Sequence, residues 1–141
     1  MSTVAPSAVR TWLKAHDTHD PVLLLAALHD DVNVRSLFRR TPAAGKEEAK
    51  AHFEGVLRAF PDLVMPVSGE GFDSTADLYL AEVHFVGTFT GHLTVDGHTH
   101  RGGGERFDVT GVVCQHLRDG LIHTTATYFD RADWLTQIGL A

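Results

Sequence analysis

The hydrophobic pattern of this chain changes period once, at Pro61, and that change limits the fold more than any other feature. Before Pro61 apolar residues recur at helical spacing. Val9, Leu13 and His16 fall at i, i+4 and i+7 with Trp12 beside them, which places one stripe on one helix face. A second helix opens at Asp20-Pro21, where the aspartate can accept from free backbone N–H groups and proline suits the first turn. It runs through Val22–Leu28 and fades at His29-Asp30-Asp31. Asn33–Phe38 reads as a short strand. A third helix spans Gly45 to Phe60, with Ala49, Phe53, Val56 and Phe60 on its apolar face and His52 at the flank. Pro61 ends it, because the residue before a proline avoids helical dihedrals.

After Pro61 the period is that of strands. Leu63–Ser74, Leu78–Thr90, Phe107–Arg118 and Leu121–Asp130 read as four long strands, and Asp119-Gly120 is a tight-turn signal between the last two. A short helix follows, with Asp130 as its cap and Gly139 at its exit. Three helices around one short strand, then an antiparallel meander, then a terminal helix describe an α+β fold. The expected arrangement is one curved antiparallel sheet with the three N-terminal helices packed on its concave face. Such a cone leaves room for a ligand at its wide end. The 141 residues suffice for one core and not two, so residues 1–141 are read as one domain.

Composition excludes several functions. Hydrophobic residues make up 43% of the chain and charged residues 21%, the balance of a globular protein. The formal net charge is −6 and the longest basic run is Arg39-Arg40, so nucleic acid is not an expected partner. Cys114 is the only cysteine, which rules out an internal disulfide and a cysteine-based zinc site. The opening Met-Ser-Thr-Val-Ala-Pro-Ser lacks the order of a signal peptide, and Val22–Leu28 is too short to span a bilayer. The expectation is a cytoplasmic protein without a membrane partner.

Several local motifs agree with one another in order and spacing. Gly87-Thr88-Phe89-Thr90-Gly91 is similar to a Gly-Thr-His-Thr-Gly strand end. Leu117-Arg118-Asp119-Gly120-Leu121-Ile122 is similar to an Arg-Asp-Gly-Lys-Ile hairpin. Tyr128-Phe129-Asp130, followed by Leu135-Thr136-Gln137-Ile138-Gly139-Leu140, is similar to an ending of Asp and then Leu-x-Gln-Leu-Gly. Together they resemble the nuclear transport factor 2-like superfamily and, within it, the SnoaL-like polyketide cyclases. The resemblance runs from about Val9 to Leu140. It implies a cystatin-like or nuclear transport factor 2-like cone and a cyclase, isomerase, dehydratase or hydrolase acting on an apolar, polyketide-like or cyclic substrate. The family's catalytic residues do not carry over. The cyclase aspartate position holds Thr127, its supporting histidine position holds Val113, and a nearby glutamine position holds Gly111. An Arg-x-Asp pair found in limonene-epoxide-hydrolase-like relatives becomes Glu82-x-His84.

Glu82 and His84 are two apart on a strand and share a face with Leu80, Val86 and Thr88, while Tyr79, Ala81, Val83, Phe85 and Phe89 take the other. Pattern alone leaves open which side is inner. The resemblance implies that the Glu82 and His84 side lines the cone, and these two are the expected catalytic acid–base pair. On the last strand the matching face holds His123, Thr125, Thr127 and Phe129. His16 and His52 fall where cyclases place pocket-lining side chains. Trp12, Val34, Phe53 and Val113 complete the expected substrate-binding set. The plainer alternatives are that Glu82 and His84 form a satisfied or solvated pair, and that His16 and His52 are core histidines with one nitrogen on a backbone carbonyl.

No cofactor is expected. A zinc or iron site built from His16, His52, His84 and Glu82 has suitable chemistry but no ligand motif, so no metal residue is assigned. The segment Gly91–Arg106 is read as a solvated loop, with Asp96-Gly97 as a small hairpin and three glycines at 102–104 that would permit a lid. Val112, Cys114, Ala126 and Tyr128 make the outer sheet face apolar, which suggests a homodimer interface. Three readings follow: an acid–base enzyme, a non-catalytic ligand-binding domain of the same shape, or a dimerising scaffold.

Overall fold

The computed structural model describes residues 5–37 and 39–141. Residues 1–4, part of the segment read for a targeting signal, and Phe38, the expected end of the first strand, lie outside them. The described helices are α1 (Ser7–Thr18), α2 (Pro21–Ala27), α3 (Gly45–Ala59) and α4 (Arg131–Gln137). The strands are β1 (Leu28–Arg35), β2 (Ala43–Ala44), β3 (Val67–Asp73), β4 (Leu78–Phe89), β5 (His92–Val95), β6 (His98–Arg101), β7 (Glu105–Arg118) and β8 (Leu121–Phe129). Six strands form one sheet in the order β2-β1-β8-β7-β4-β3, and β5 pairs with β6 apart from it. The fold is α+β, as the change of period at Pro61 dictates. No described helix is long and apolar enough to cross a membrane.

The caps fall where side-chain chemistry requires them. The Asp20 carboxylate accepts from the N–H groups of Val22 and Leu23 at 2.9 and 3.3 Å, and Asp130 accepts from Asp133 at 3.0 Å. Asp119-Gly120 and Asp96-Gly97 both have positive φ at the two central residues, the turn that matches the twist of a two-residue hairpin. Gln137 does more than close a helix. Its Oε1 accepts from the Asp108 N–H at 2.8 Å and its Nε2 donates to the Asp108 carbonyl at 3.2 Å, which clamps α4 to β7.

Three boundaries differ from expectation. The first strand begins at Leu28, not Asn33, and it pairs parallel with β8: Asn33 opposes Thr124 and Val34 opposes Thr125. The polar His29-Asp30-Asp31 stretch, read as a fading helix, lies inside this strand, with both aspartates exposed. β3 is shorter than the expected Leu63–Ser74, and the chain before it reaches β4 through an isolated bridge, Val64 to Val86, and a hydrogen bond from the His84 N–H to the Pro66 carbonyl at 3.0 Å. The segment Gly91–Arg106 is a packed hairpin and not an open loop, since Leu93 and Val95 are buried against Phe60, Phe89, Phe107 and Trp134.

Two apolar clusters fill the interior. One joins α1, α2 and α3 to the middle of the sheet through Val9, Trp12, Leu24, Phe53, Tyr79, Val83 and Val113. The other gathers Phe60, Phe89, Leu93, Phe107, Trp134 and Ile138 around the β5–β6 hairpin and α4. The strand β4 decides which side of the sheet they occupy. Tyr79, Ala81, Val83 and Phe89 are at most 1% exposed, whereas Leu80 is 44% exposed and Glu82 is fully on the solvent side. One step of register exchanges the two faces of a strand, and burial of the aromatic and branched residues settles it.

Candidate functional site

A cavity of about 100 Å³ lies where the two clusters meet. Trp12, Leu24, Phe53 and Met65 from the first cluster and Phe60, Leu63, Phe107 and Trp134 from the second supply its apolar wall. Its polar groups are few: His16 from α1, His52 from α3, Arg35 and Ser36 from the end of β1, and Thr125 and Thr127 from β8. No aspartate or glutamate lines it among the described residues.

The two imidazoles are held differently. His16 Nδ1 lies 2.8 Å from the Trp12 carbonyl oxygen. A carbonyl only accepts, so Nδ1 carries the proton and Nε2 keeps a lone pair in the neutral ring. The ring is fixed between aromatic neighbours, 4.2 Å from the Trp12 ring and edge-on to Phe53 at 5.0 Å. Burial lowers the His16 pKa to about 4 against a partial offset from the Trp12 carbonyl and Asp17. Burial also lowers that of His52 to about 4, and the nearby Arg39 and His16 push it the same way. Both are therefore neutral at physiological pH, able to accept a proton and to hydrogen-bond without a counter-ion.

Thr125 is positioned from behind. The Gln115 Nε2 donates to its Oγ1 at 3.1 Å, so the hydroxyl has its own proton left to give. Gln115 is fully buried and its Oε1 has no partner among the described residues. Val34 and Thr125 are opposed in the β1–β8 register, and both line the cavity.

Of the residues expected from the sequence, the structure brings Trp12, His16, Val34, His52, Phe53, Thr125 and Thr127 into this one cavity. It does not bring in the others. Glu82 and His84 lie on the convex side of the sheet, which corrects the expectation that they face the cone. Glu82 Oε1 accepts from Ser68 Oγ at 2.9 Å, and His84 Nδ1 lies 3.4 Å from Asp108 Oδ1 with its side chain 40% exposed. The four-residue metal set His16, His52, His84 and Glu82 is thereby split across the sheet. Val113 is buried in the first core cluster and not in the cavity wall. His123 is displaced by a bulge: Leu117 opposes Ile122 and His116 opposes Thr124, which leaves His123 as the extra residue. Ile122 takes the inward place, and the His123 ring stacks edge-on against His29 at 5.3 Å.

Arg35, Ser36, Phe85, Phe107 and Trp134 line the cavity without having been singled out. Phe85 was legible, since it belongs to the more apolar side of its strand. Arg35 and Ser36 depend on where β1 ends, which pattern does not fix.

A family model described as SnoaL-like polyketide cyclase matches residues 7–138. No curated protein matches the chain. Among solved structures, a protein from Jannaschia sp. CCS1 assigned to the SnoaL-like polyketide cyclases superposes with a TM-score of 0.79 at 18% identity, over 95% of this chain and 92% of that one. TsrD from Streptomyces laurentii gives 0.79 at 21% identity, over 95% and 93%. A protein with a ketosteroid isomerase-like fold from Catenulispora acidiphila, solved in complex with trimethylamine, gives 0.78 at 17% identity, over 98% and 96%. At these identities the likeness bears on the fold.

Proposed function

Because the chain belongs to the SnoaL-like polyketide cyclase family, we propose that it is a small-molecule enzyme of cyclase or isomerase type whose acid–base groups are His16 and His52. The observation that carries this reading is a nearly apolar cavity holding two neutral imidazoles and no carboxylate among the described residues. An imidazole of low proton affinity removes only a proton that is already acidified, such as one between two carbonyl groups. The substrate is therefore a small apolar molecule with a 1,3-dicarbonyl unit. One imidazole takes the proton from the carbon between the carbonyls, and the electron pair passes to the carbonyl oxygen. Thr125 and Thr127 donate to that oxygen. The enolate carbon then attacks another carbonyl of the same molecule, whose oxygen takes the proton back from the imidazolium, or that proton returns to a different carbon of an extended enolate.

The test uses ethyl 2-oxocyclohexanecarboxylate in deuterium oxide near pH 6, followed by mass spectrometry. Deuterium should enter at the carbon between the carbonyls at least tenfold faster than in buffer. His16→Gln and His52→Gln should abolish that gain, and Glu82→Gln should leave it. Exchange at the buffer rate by protein that binds the ester contradicts the enzymatic reading.

That outcome would favour the second reading, a ligand-binding domain without turnover. The observation behind it is Thr127, which stands on the cavity wall where the resemblance puts the cyclase aspartate. Either reading is of one cytoplasmic domain over residues 1–141. The exposed Leu80, Val112 and Tyr128, at 41–50% exposure, supply an apolar patch for a homodimer through the convex face.

A further inference from the structure

Two further clefts adjoin the apolar cavity, and their chemistry is opposite to it. One shares His52 and Val56 with the cavity and is also lined by Arg39, Arg40 and Arg58. The other shares Arg35, Ser36 and Thr127 with the cavity, and it shares Arg39, Arg40 and Thr41 with the first cleft. The three spaces are thus neighbours, linked by the residues they share. The first cleft is the larger, at about 520 Å³.

Four arginines line these spaces in a protein of net charge −6. Of the 18 carboxylates in the chain, only Asp96 lines them among the described residues. That carboxylate is already engaged, 2.6 Å from an Arg131 guanidinium nitrogen and 3.9 Å from Arg40 Nε. Arg39 is 3.6 Å from Glu48. Arg35 and Arg58 have no ion pair among the described residues. Clefts lined by one sign of charge concentrate the field and draw in counter-ions of the other sign. The guanidinium fork matches a carboxylate in both geometry and charge. An acidic protein that places four of its 12 Lys and Arg residues at the rim of an apolar cavity has a site for an anion there.

We propose that this arginine-lined rim is an anion subsite, and that the ligand is a small apolar carboxylic acid whose ring or chain enters the inner cavity while its carboxylate stays in the adjoining cleft at Arg58. The inference rests on the cavity being the ligand site and adds the ligand's charge and orientation. The cavity volume limits the buried part to about one ring, since a dry cavity of ~150 Å³ holds a benzene. His52 stands at the junction of the two environments, so the groups next to the carboxylate meet an imidazole.

The test compares 4-phenylbutyrate with 4-phenylbutyramide, equal in shape and different in charge. Trp12 and Trp134, the only two tryptophans, both line the cavity and report occupancy by fluorescence. At 50 mM salt the acid should bind at least tenfold more tightly than the amide, and 0.5 M salt should narrow the gap. Arg58→Gln should bring the acid close to the amide, and Arg58→Lys should restore part of the difference. Equal binding of acid and amide, or an Arg58→Gln loss common to both, overturns the anion subsite and leaves the cavity as ligand site. Failure of both probes to change the fluorescence at millimolar concentration contradicts the cavity reading itself, and the subsite with it.

Discussion

His16 and His52 tie stability to pH through their burial. Each has a reference pKa of 6.5 and a folded value of about 4. Between these values the unfolded chain binds protons that the folded chain refuses, so stability falls as pH is lowered from 6.5 to 4. Above 6.5 the two groups are neutral in both states and the contribution is complete. The largest loss is roughly 3 kcal/mol for each imidazole, at about 1.4 kcal/mol per pKa unit. Urea denaturation at pH 4 and pH 7 should show this, and the His16→Gln, His52→Gln double variant should flatten the slope between the two. Glu82→Gln removes an exposed carboxylate that accepts from Ser68, so its change in stability should stay within about 0.5 kcal/mol by the same measurement. At this scale the sequence was half legible. The resemblance put His16, His52, Thr125 and Thr127 on the inner side, and all four line the cavity. The side of β4 that carries Glu82 was misassigned, because the resemblance outweighed the simpler fact that Tyr79, Val83 and Phe85 need burial. His123 was lost to a bulge, and a single extra residue leaves no trace in alternation.

At the scale of elements, the end of β4 is tied to the end of α3. The N–H groups of Thr90 and Gly91 both donate to the Ala59 carbonyl at 3.2 Å, which satisfies the helix end. The approach is so close that a Cβ at residue 91 would overlap the Arg58 carbonyl oxygen. Gly91→Ala should therefore lower the thermal midpoint by 10 °C or more, or prevent folding, whereas Gly69→Ala meets open space and should change it little. The β5–β6 hairpin follows directly and is anchored by Leu93 at 5% exposure. Leu93→Ala should cost about 2–5 kcal/mol in chemical denaturation, the ordinary range for a buried leucine. A lid that swings freely would show almost no effect. Caps and tight turns were readable here because each rests on one or two residues, such as Asp20, Asp130 and Asp119-Gly120. The parallel pairing of β1 with β8 was not, because it joins segments about 90 residues apart with no local signal for the partner.

For the whole molecule, the α+β order followed from one change of period and the family from motif order. Charge distribution did not follow from either. The net charge of −6 hides four arginines gathered at the cavity rim, a feature that exists only after folding. The convex face makes its own prediction. If the proposed homodimer forms there, the unaltered protein should sediment as a dimer, and Tyr128→Asp, which places a charge in the exposed apolar patch, should sediment as a monomer with the fold retained by circular dichroism. The concave side is apolar, and its two imidazoles are neutral there at physiological pH. Nitrogen-15 resonances of the His16 and His52 rings, followed from pH 8 to pH 3, test this directly. The prediction is that both rings stay neutral until about pH 4, with the His16 proton on Nδ1 throughout. Midpoints near 6.5, like those of histidines in water, would contradict it.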